Sequence, residues 1–199
     1  MVSSTNASQL AEGLRGMPPG SAVLVRMKGA TYTDSYFAAL SAVLREYAME
    51  TKGYVVYLSV TNPASLLVDI LSSVDIPIQG VSFIDVTSYM MVDKAKRAAN
   101  TTYVESPTML ETIMLRVEYL LRRSPNERRI VVLDSISSLA IHNNSHILQE
   151  FLHILVNKLK SMGAVTVLLT VIEETAPELS NVLSLISDAN VTLEGGGQS

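Results

Sequence analysis

The sequence predicts an α/β protein, folded as a three-layer α/β/α sandwich around a mainly parallel sheet. Two observations support this fold class: short runs of valine, isoleucine and leucine recur along the chain, and amphipathic helical segments separate them. Apolar runs without polar alternation suit strands that are covered on both faces, as parallel strands are. The alternation implies right-handed crossovers, and ligands are then expected at the carboxyl ends of the strands.

Six segments have the composition of buried strands. They cover residues 22–27, 54–60, 81–86, 130–134, 164–172 and 189–193. The longest apolar run, 164–172, is far shorter than the roughly 20 residues that cross a bilayer, so no membrane-spanning helix is predicted.

Helical segments fill the intervals between these runs. Residues 35–50 carry apolar side chains at helical spacing, and Gly53 ends that segment. Asn62 and Ser106 each precede a proline, a pairing that favours the start of a helix. The two helices that follow these signals are predicted over residues 63–73 and 107–123.

The last long helix is predicted from one apolar row and a terminating glycine, Gly163. The residues expected on its buried face are Ile147, Phe151, Leu155 and Leu159. Just before it, the sequence 143–145 is typical of a turn and a helix cap.

The 199 residues suit a single domain, with 1–19 as a leading segment and 194–199 as a flexible tail. Hydrophobic residues make up 48% and charged residues 17%, which favours a folded domain whose apolar surplus contacts a protein partner or another copy of itself. The chain has no cysteine and no leader-like N-terminus, so a cytoplasmic location is expected. Its net charge of −4 does not favour nucleic-acid binding, and the arginines around 124–126 are interpreted as a solvated turn.

The segment 129–139 contains an apolar strand that is introduced by an arginine and ends in Asp134. It resembles the second nucleotide motif of RecA- and KaiC-type ATPases, and the resemblance implies that this aspartate holds the water shell of a magnesium ion. Other segments between residues 20 and 193 also resemble strands of these ATPases, and they occur in the same order along the chain. The resemblance implies a RecA-like sheet, with the Ala22 strand central and beside the Ile130 strand.

Several further segments resemble, more closely still, a RecA-like family of unknown function found in archaeal signalling proteins. They cover residues 104–110, 131–139, 142–144 and 151–153. This resemblance implies a descendant of the nucleotide-binding fold without an established activity.

The loop after the first strand departs from the ATPase pattern, which needs glycine-rich backbone and a Lys-Ser/Thr pair around the phosphates. Only Gly29 in this loop easily adopts left-handed conformations. If Phe37 matches the apolar residue after the motif, Asp34 stands where lysine is needed and Ser35 where the magnesium hydroxyl is needed. Asp34 also suits a helix N-cap.

Five positions therefore mark an ancestral nucleotide site that we expect to be non-functional. They are Lys28, Gly29, Asp34, Ser35 and Asp134. A carboxylate about 4 Å from a phosphate is repelled by roughly 4 kcal/mol per charge pair at an effective dielectric constant near 20. The resemblance also implies catalytic glutamates after the second strand, whereas residues 60–63 contain none. Asp134 is expected to cap or bond backbone amides, as is Ser135.

Other chemistry is less well supported by the sequence. Asp134, Ser135 and His142 suggest a hydrolase triad, but no nucleophile elbow surrounds the serine. His142 and His146 have a metal-compatible spacing without an evident third ligand, so no metal site is predicted.

The rim of the predicted site carries charges of both signs. Arg26 and Lys28 could meet an anion there, but several carboxylates are expected at the same edge, and we interpret the rim as solvated. The opposing carboxylates are Asp34, Asp134, Glu173 and Glu174.

Two functions remain. The first is a catalytically inactive RecA/KaiC-like domain without a cofactor, which acts as an assembly or signalling module through self-association or a protein partner. The second is an ATP- and magnesium-binding protein that uses Lys28, Ser35 and Asp134 in a divergent loop, with slow or no hydrolysis. The charge reversal at Asp34 favours the first.

Overall fold

A computed structural model describes residues 4–88, 100–124 and 128–193 and contains one seven-stranded sheet. The strands are β1 (Ala22–Met27), β2 (Tyr54–Ser59), β3 (Val81–Asp85), β4 (Thr101–Tyr103), β5 (Arg129–Asp134), β6 (Val165–Val171) and β7 (Ala189–Leu193). They lie in the order β4-β3-β2-β5-β6-β1-β7, and every pairing is parallel. The predicted parallel sheet is therefore confirmed. The predicted tail, 194–199, lies outside the described residues.

Helices cover both faces of the sheet. They are α1 (Ser4–Arg15), α2 (Tyr32–Leu40), α3 (Ala64–Ser73), α4 (Leu110–Arg123), α5 (Ile136–His142), α6 (Ser145–Ser161) and α7 (Pro177–Ile186). A π-helix, Ser41–Ala48, continues α2, and short 3-10 turns span Gly29–Thr31 and Ile172–Glu174. Side chains of α1, α2 and α3 share one core with the sheet, and those of α4 to α7 share the other. This confirms the three-layer α/β/α sandwich.

The position predicted for the first strand is wrong. β1 pairs with β6 and β7, so it lies second from one edge, and β6 separates it from β5. The apolar strand β6 is buried along its whole length, which suits a place inside the sheet. The motifs at the ends of β1 and β5 do not determine which strand lies between them. The carboxyl ends of β1 and β5 still share one edge, about 10 Å apart across two strand spacings.

Strand β4 was not predicted from the sequence. It has only three residues, all half-buried, and pairs with β3 at the edge of the sheet. Neither an apolar run nor an alternating pattern marks such a segment, because its partner strand rather than its composition holds it in place.

The predicted helices form with shifted bounds. The helical segment expected to begin at residue 35 begins at Tyr32, and α4 begins at Leu110 instead of residue 107. As expected, the Asn144 side chain caps α6, and Gly163 follows that helix with a φ of 71°.

The buried face predicted for α6 is correct except at Ile147, which is 60% exposed. The buried residues of this helix are Leu148, Phe151, Leu152, Leu155, Val156 and Leu159. A strict four-residue row drifts around a helix that has 3.6 residues per turn, so its first member leaves the buried face. Within the ranges described, no helix is long and apolar enough to span a bilayer.

Candidate functional site

The loop between β1 and α2 is short. Only residues 28–31 separate Met27 from Tyr32, and three of them form a single 3-10 turn. Gly29 is not among the glycines with positive φ, so it does not use the left-handed conformations that are open to it. Its backbone N–H donates to Oε2 of Glu173 at 2.8 Å. A carboxylate of the same chain thus accepts the hydrogen bond that this loop amide could otherwise donate to a phosphate.

Glu173 approaches this loop from the 3-10 turn that follows β6. The hydrogen bond from Gly29 and the positive charge of Lys28 both hold the pKa of the exposed Glu173 carboxyl below its ordinary value, with the Gly29 bond as the larger effect. The sequence suggested that Lys28 could meet an anion, and in the structure it lies near Glu173, a carboxylate of the same chain. Arg26 does not face the loop either, because its guanidinium donates to Oγ of Ser184 at 2.6 Å.

Asp134 lies at the carboxyl end of β5 and is completely buried. Two tyrosine hydroxyls donate to its Oδ2 at 2.5 Å: Tyr36 from α2 and Tyr57 from β2. The two hydroxyls are 3.2 Å apart, and we call the three residues the tyrosine–aspartate cluster. The expectation that Asp134 bonds backbone amides is wrong. Tyr57 pairs with Val132 in the parallel register of β2 and β5, and Asp134 lies two residues after Val132. Asp134 therefore shares with Tyr57 the sheet face that α2 covers.

The electrostatics of the cluster follow from its burial. Desolvation raises the pKa of Asp134, the two tyrosine hydrogen bonds lower it, and the result is about 6. Burial first and the Asp134 charge second raise the pKa of Tyr36 and Tyr57, so both hydroxyls stay protonated and donate. Oδ1 of Asp134 is buried without a hydrogen-bond partner in the described part of the chain. The carboxylate is therefore held at one oxygen only.

The structure does not bring Ser35 and Asp134 together. The buried Ser35 hydroxyl donates to the carbonyl oxygen of Leu193 in β7 at 3.3 Å. Tyr36, one residue later on α2, is the side chain that reaches Asp134. Asp34 is exposed in the first turn of α2, and Thr31 takes the N-cap position, so the N-cap predicted at Asp34 is wrong.

A cavity of about 310 Å³ opens beside the loop, at the carboxyl edge of the sheet. Tyr32 lines it and stacks on Tyr36, with ring centroids 5.4 Å apart. Glu174 lines it as well, and this confirms the expectation that Glu173 and Glu174 lie at this edge.

Three hydroxyls line the same cavity and contact one another. Thr61 donates to Ser135 at 3.4 Å and lies 2.9 Å from Ser138, while the two serine hydroxyls are 3.0 Å apart. We call these three residues the hydroxyl triad. The Ser135 hydroxyl also accepts from the backbone N–H of Ser138 and caps α5, which confirms the capping role predicted for Ser135. These contacts differ from the hydrolase arrangement, in which His142 would bond the serine.

Sequence reasoning missed the residues that contact the five predicted positions. In the sequence, Tyr36 and Tyr57 belong to apolar segments that are typical of the core, and Glu173 was interpreted as part of a solvated rim. No signal in the sequence places Tyr57 beside Asp134, because the two residues lie on different strands and the face they share depends on the register of β2 against β5. The helical phase of α2 could not be derived, because it depends on the length of the loop.

The comparisons with known proteins agree with this geometry at the level of the fold. Flagellar accessory protein FlaH from Methanocaldococcus jannaschii is similar over 100% of this chain and 82% of its own, with a TM-score of 0.65 and 13% identity. A KaiC-like protein from Pyrococcus horikoshii is similar over 92% of this chain and 76% of its own, with a TM-score of 0.65 and 18% identity.

A third solved structure, an uncharacterized protein from Pyrococcus horikoshii in complex with an unknown peptide, covers 93% of this chain and 82% of its own. Its TM-score is 0.69 and its identity 12%. No curated protein sequence matches the chain. The family model that matches is an ATPase, KaiC, over residues 37–195. This match takes in β2 to β7 and the last four residues of α2, 37–40, and the chain therefore belongs to the KaiC ATPase family.

Proposed function

We propose that this chain is a catalytically inactive KaiC-like domain that acts as an interaction module in assembly or signalling. The observation that carries the proposal is the buried Asp134 carboxylate, which accepts hydrogen bonds from Tyr36 and Tyr57. Magnesium binds through carboxylate oxygens while keeping several of its own waters. Two observations oppose a magnesium site here: Tyr36 and Tyr57 occupy Oδ2 of this carboxylate, and the Ser35 hydroxyl points to Leu193 instead of towards Asp134.

The loop itself supports the same proposal. A phosphate would have to displace Glu173 from the Gly29 amide, and it would then meet the exposed carboxylate of Asp34 at the start of α2. A phosphate loop gains its affinity from several free amides and one lysine. Here the four-residue loop presents neither a glycine-rich wrap nor a lysine at the helix start.

The alternative function is ATP and magnesium binding through Lys28, Ser35 and Asp134, with slow or no hydrolysis. Family membership and the 310 Å³ cavity beside the loop favour it. The orientation of Ser35 towards β7 opposes it. The two functions differ in one property, the affinity for Mg-ATP, which the alternative requires to be micromolar.

We further propose that the module self-associates through one helical face. Four large apolar side chains are exposed on neighbouring helices, and we call them the α4–α6 face. They are Leu115 (60% exposed), Tyr119 (49%), Ile147 (60%) and Ile154 (49%). Singly exposed apolar residues are common on monomers, whereas contiguous apolar patches mark contacts.

The geometry of the two helices supports a contiguous face. α4 and α6 both lead into parallel strands, so they run in the same direction. An ion pair of 3.4 Å between Lys158 and Glu118 joins them. Leu115 lies one turn before Glu118 on α4, and Ile154 lies one turn before Lys158 on α6. Glu118 also pairs with Arg122, so its carboxylate lies between two cations. The partner that we propose for this face is a second copy of the chain, related by a two-fold axis.

Charges placed on this face should prevent self-association. We expect the double substitution Leu115→Glu and Ile154→Glu to weaken the contact about 100-fold or more, since each buried carboxylate loses its hydration. Size-exclusion chromatography with light scattering should then change from an oligomer to a monomer at micromolar concentration. Far-ultraviolet circular dichroism checks that the variant is folded.

A matched control lies on the opposite helical layer. Leu66 on α3 is 46% exposed, and Leu66→Glu adds the same kind of charge away from the α4–α6 face. This variant should keep the mass of the unaltered protein. A monomeric unaltered protein across the micromolar range would exclude self-association, and an equal effect of both variants would exclude this face.

A further inference from the structure

The side chains that line the cavity beside the loop offer mainly hydrogen-bond acceptors, with the protonated Tyr32 hydroxyl as a donor among them. In the hydroxyl triad, Thr61 donates to Ser135, and both groups lie within hydrogen-bond distance of Ser138. Three hydroxyl protons are just sufficient for these three contacts. In a cyclic arrangement Ser135 donates to Ser138 and Ser138 to Thr61, and oxygen lone pairs then remain for a ligand.

The remaining lining has the same character. The Gly29 amide, which could donate, is taken by Glu173, while the Glu174 carboxylate lines the cavity. Tyr32 adds an aromatic ring, which attracts cations at its face. Burial has the largest effect on the Tyr32 hydroxyl and raises its pKa. The nearby negative charges of Asp134 and Glu174 raise it further. The cavity is therefore bordered by carboxylate charge and by π electrons, while the Lys28 charge in the adjacent loop lies near Glu173.

We propose that this cavity binds the ammonium or guanidinium head of a small organic cation. The N–H groups of such a head would donate to the hydroxyl triad and to Glu174, and its charge would face the Tyr32 ring. A cavity of about 310 Å³ is at the small end of ligand pockets, which suits a head group with a few carbons. The inference rests on the proposed function, because phosphate and this cation would occupy the same edge of the sheet.

The test uses calorimetric titration of the whole chain with n-butylammonium and methylguanidinium, and with n-butanol as a neutral analogue. The cations should bind saturably and the alcohol should not. Glu174→Gln should weaken cation binding about tenfold through the lost charge, and Tyr32→Leu about threefold through the lost ring. Glu178→Gln removes an exposed carboxylate on α7 that does not line the cavity, and this control should leave the affinity unchanged.

Two results would overturn the inference: no saturable binding of either cation, or equal losses in the Glu174 and Glu178 variants. A parallel titration with Mg-ATP separates this inference from the proposed function. If neither the cations nor ATP bind, only the cation site is excluded. If ATP binds with micromolar affinity, the proposed function fails, and the cation titration with the Glu174 and Glu178 variants alone decides the cation site.

The cation could come from a free small molecule or from a side chain of another protein. N-acetyl-arginine amide distinguishes these sources, because it carries the guanidinium on a peptide unit. Binding at least tenfold tighter than that of methylguanidinium identifies a protein side chain. Equal or weaker binding identifies a free cation, and both outcomes support the cation site.

Discussion

Replacing Asp85 with alanine should lower the free energy of unfolding by about 4 kcal/mol or more. Asp85 is the last residue of β3 and is fully buried. Its carboxylate accepts five hydrogen bonds of 2.5–3.0 Å. The donors are the N–H groups of Ala64, Thr87 and Ser88 and the hydroxyls of Thr87 and Ser88. Hydrogen bonds to a charged group contribute roughly 1.5–3 kcal/mol each, and the buried donors would lose their acceptor. Urea unfolding measures the change.

Two further variants keep this prediction testable if Asp85→Ala does not fold. Asp85→Asn retains the shape and one acceptor oxygen, so it should cost about 2 kcal/mol. Asp34→Ala removes an exposed carboxylate from the first turn of α2 and should cost less than about 1 kcal/mol. Equal effects of Asp34→Ala and Asp85→Ala would show that Asp85 does not hold the start of α3 and the turn after β3.

The second large effect concerns the pH dependence of stability. The pKa of Asp134 is about 6 in the folded protein, compared with an ordinary value of 3.8. The folded state therefore binds this proton more tightly than the unfolded state, and the resulting stabilisation is present below pH 3.8. It is lost as the pH rises towards 6. One pKa unit is worth about 1.4 kcal/mol, so this group should lower the free energy of unfolding by about 3 kcal/mol over that interval.

Asp134→Asn removes this titration while keeping an acceptor for Tyr36 and Tyr57. Relative to the unaltered protein, the variant should gain about 3 kcal/mol in unfolding free energy between about pH 3 and pH 7, with about two thirds of it between pH 4 and pH 6 and no further gain above pH 7. Denaturant unfolding across this range measures the difference, and Asp34→Asn is the control for the loss of one exposed carboxylate. Parallel curves for Asp134→Asn and the unaltered protein would mean that the buried carboxylate does not titrate in this range.

The fold class could be predicted from the sequence because strands that are buried on both faces leave continuous apolar runs, and helical segments with capping residues and glycines separate these runs. The order of the strands could not be predicted. A parallel strand such as β6 enters the sheet through a long crossover, and nothing in the sequences of β1 or β5 records that β6 lies between them. β4 could not be predicted because its three residues form neither an apolar run nor an alternating pattern.

The candidate site was only partly predictable for a related reason. Asp134 was found because its strand resembles a known motif, and Gly29 because glycine interrupts the loop. Tyr36 could not be assigned to Asp134, since the four-residue loop rotates α2 so that Ser35 faces β7 instead. Matching Asp34 and Ser35 to the ATPase motif assumed the rotation of α2 that a longer phosphate loop would give. The four-residue loop gives α2 a different rotation about its axis.

The affinity for Mg-ATP tests the central claim most directly. Because the Gly29 amide is bound by Glu173 and the Asp134 carboxylate by two tyrosines, we expect calorimetry to show no saturation below about a millimolar concentration, a binding free energy near −4 kcal/mol. Asp34→Lys should improve binding only slightly, because the short loop still lacks free amides. Micromolar binding by the unaltered protein, lost in Asp134→Ala, would contradict the proposal and show that a working magnesium site survives at Asp134.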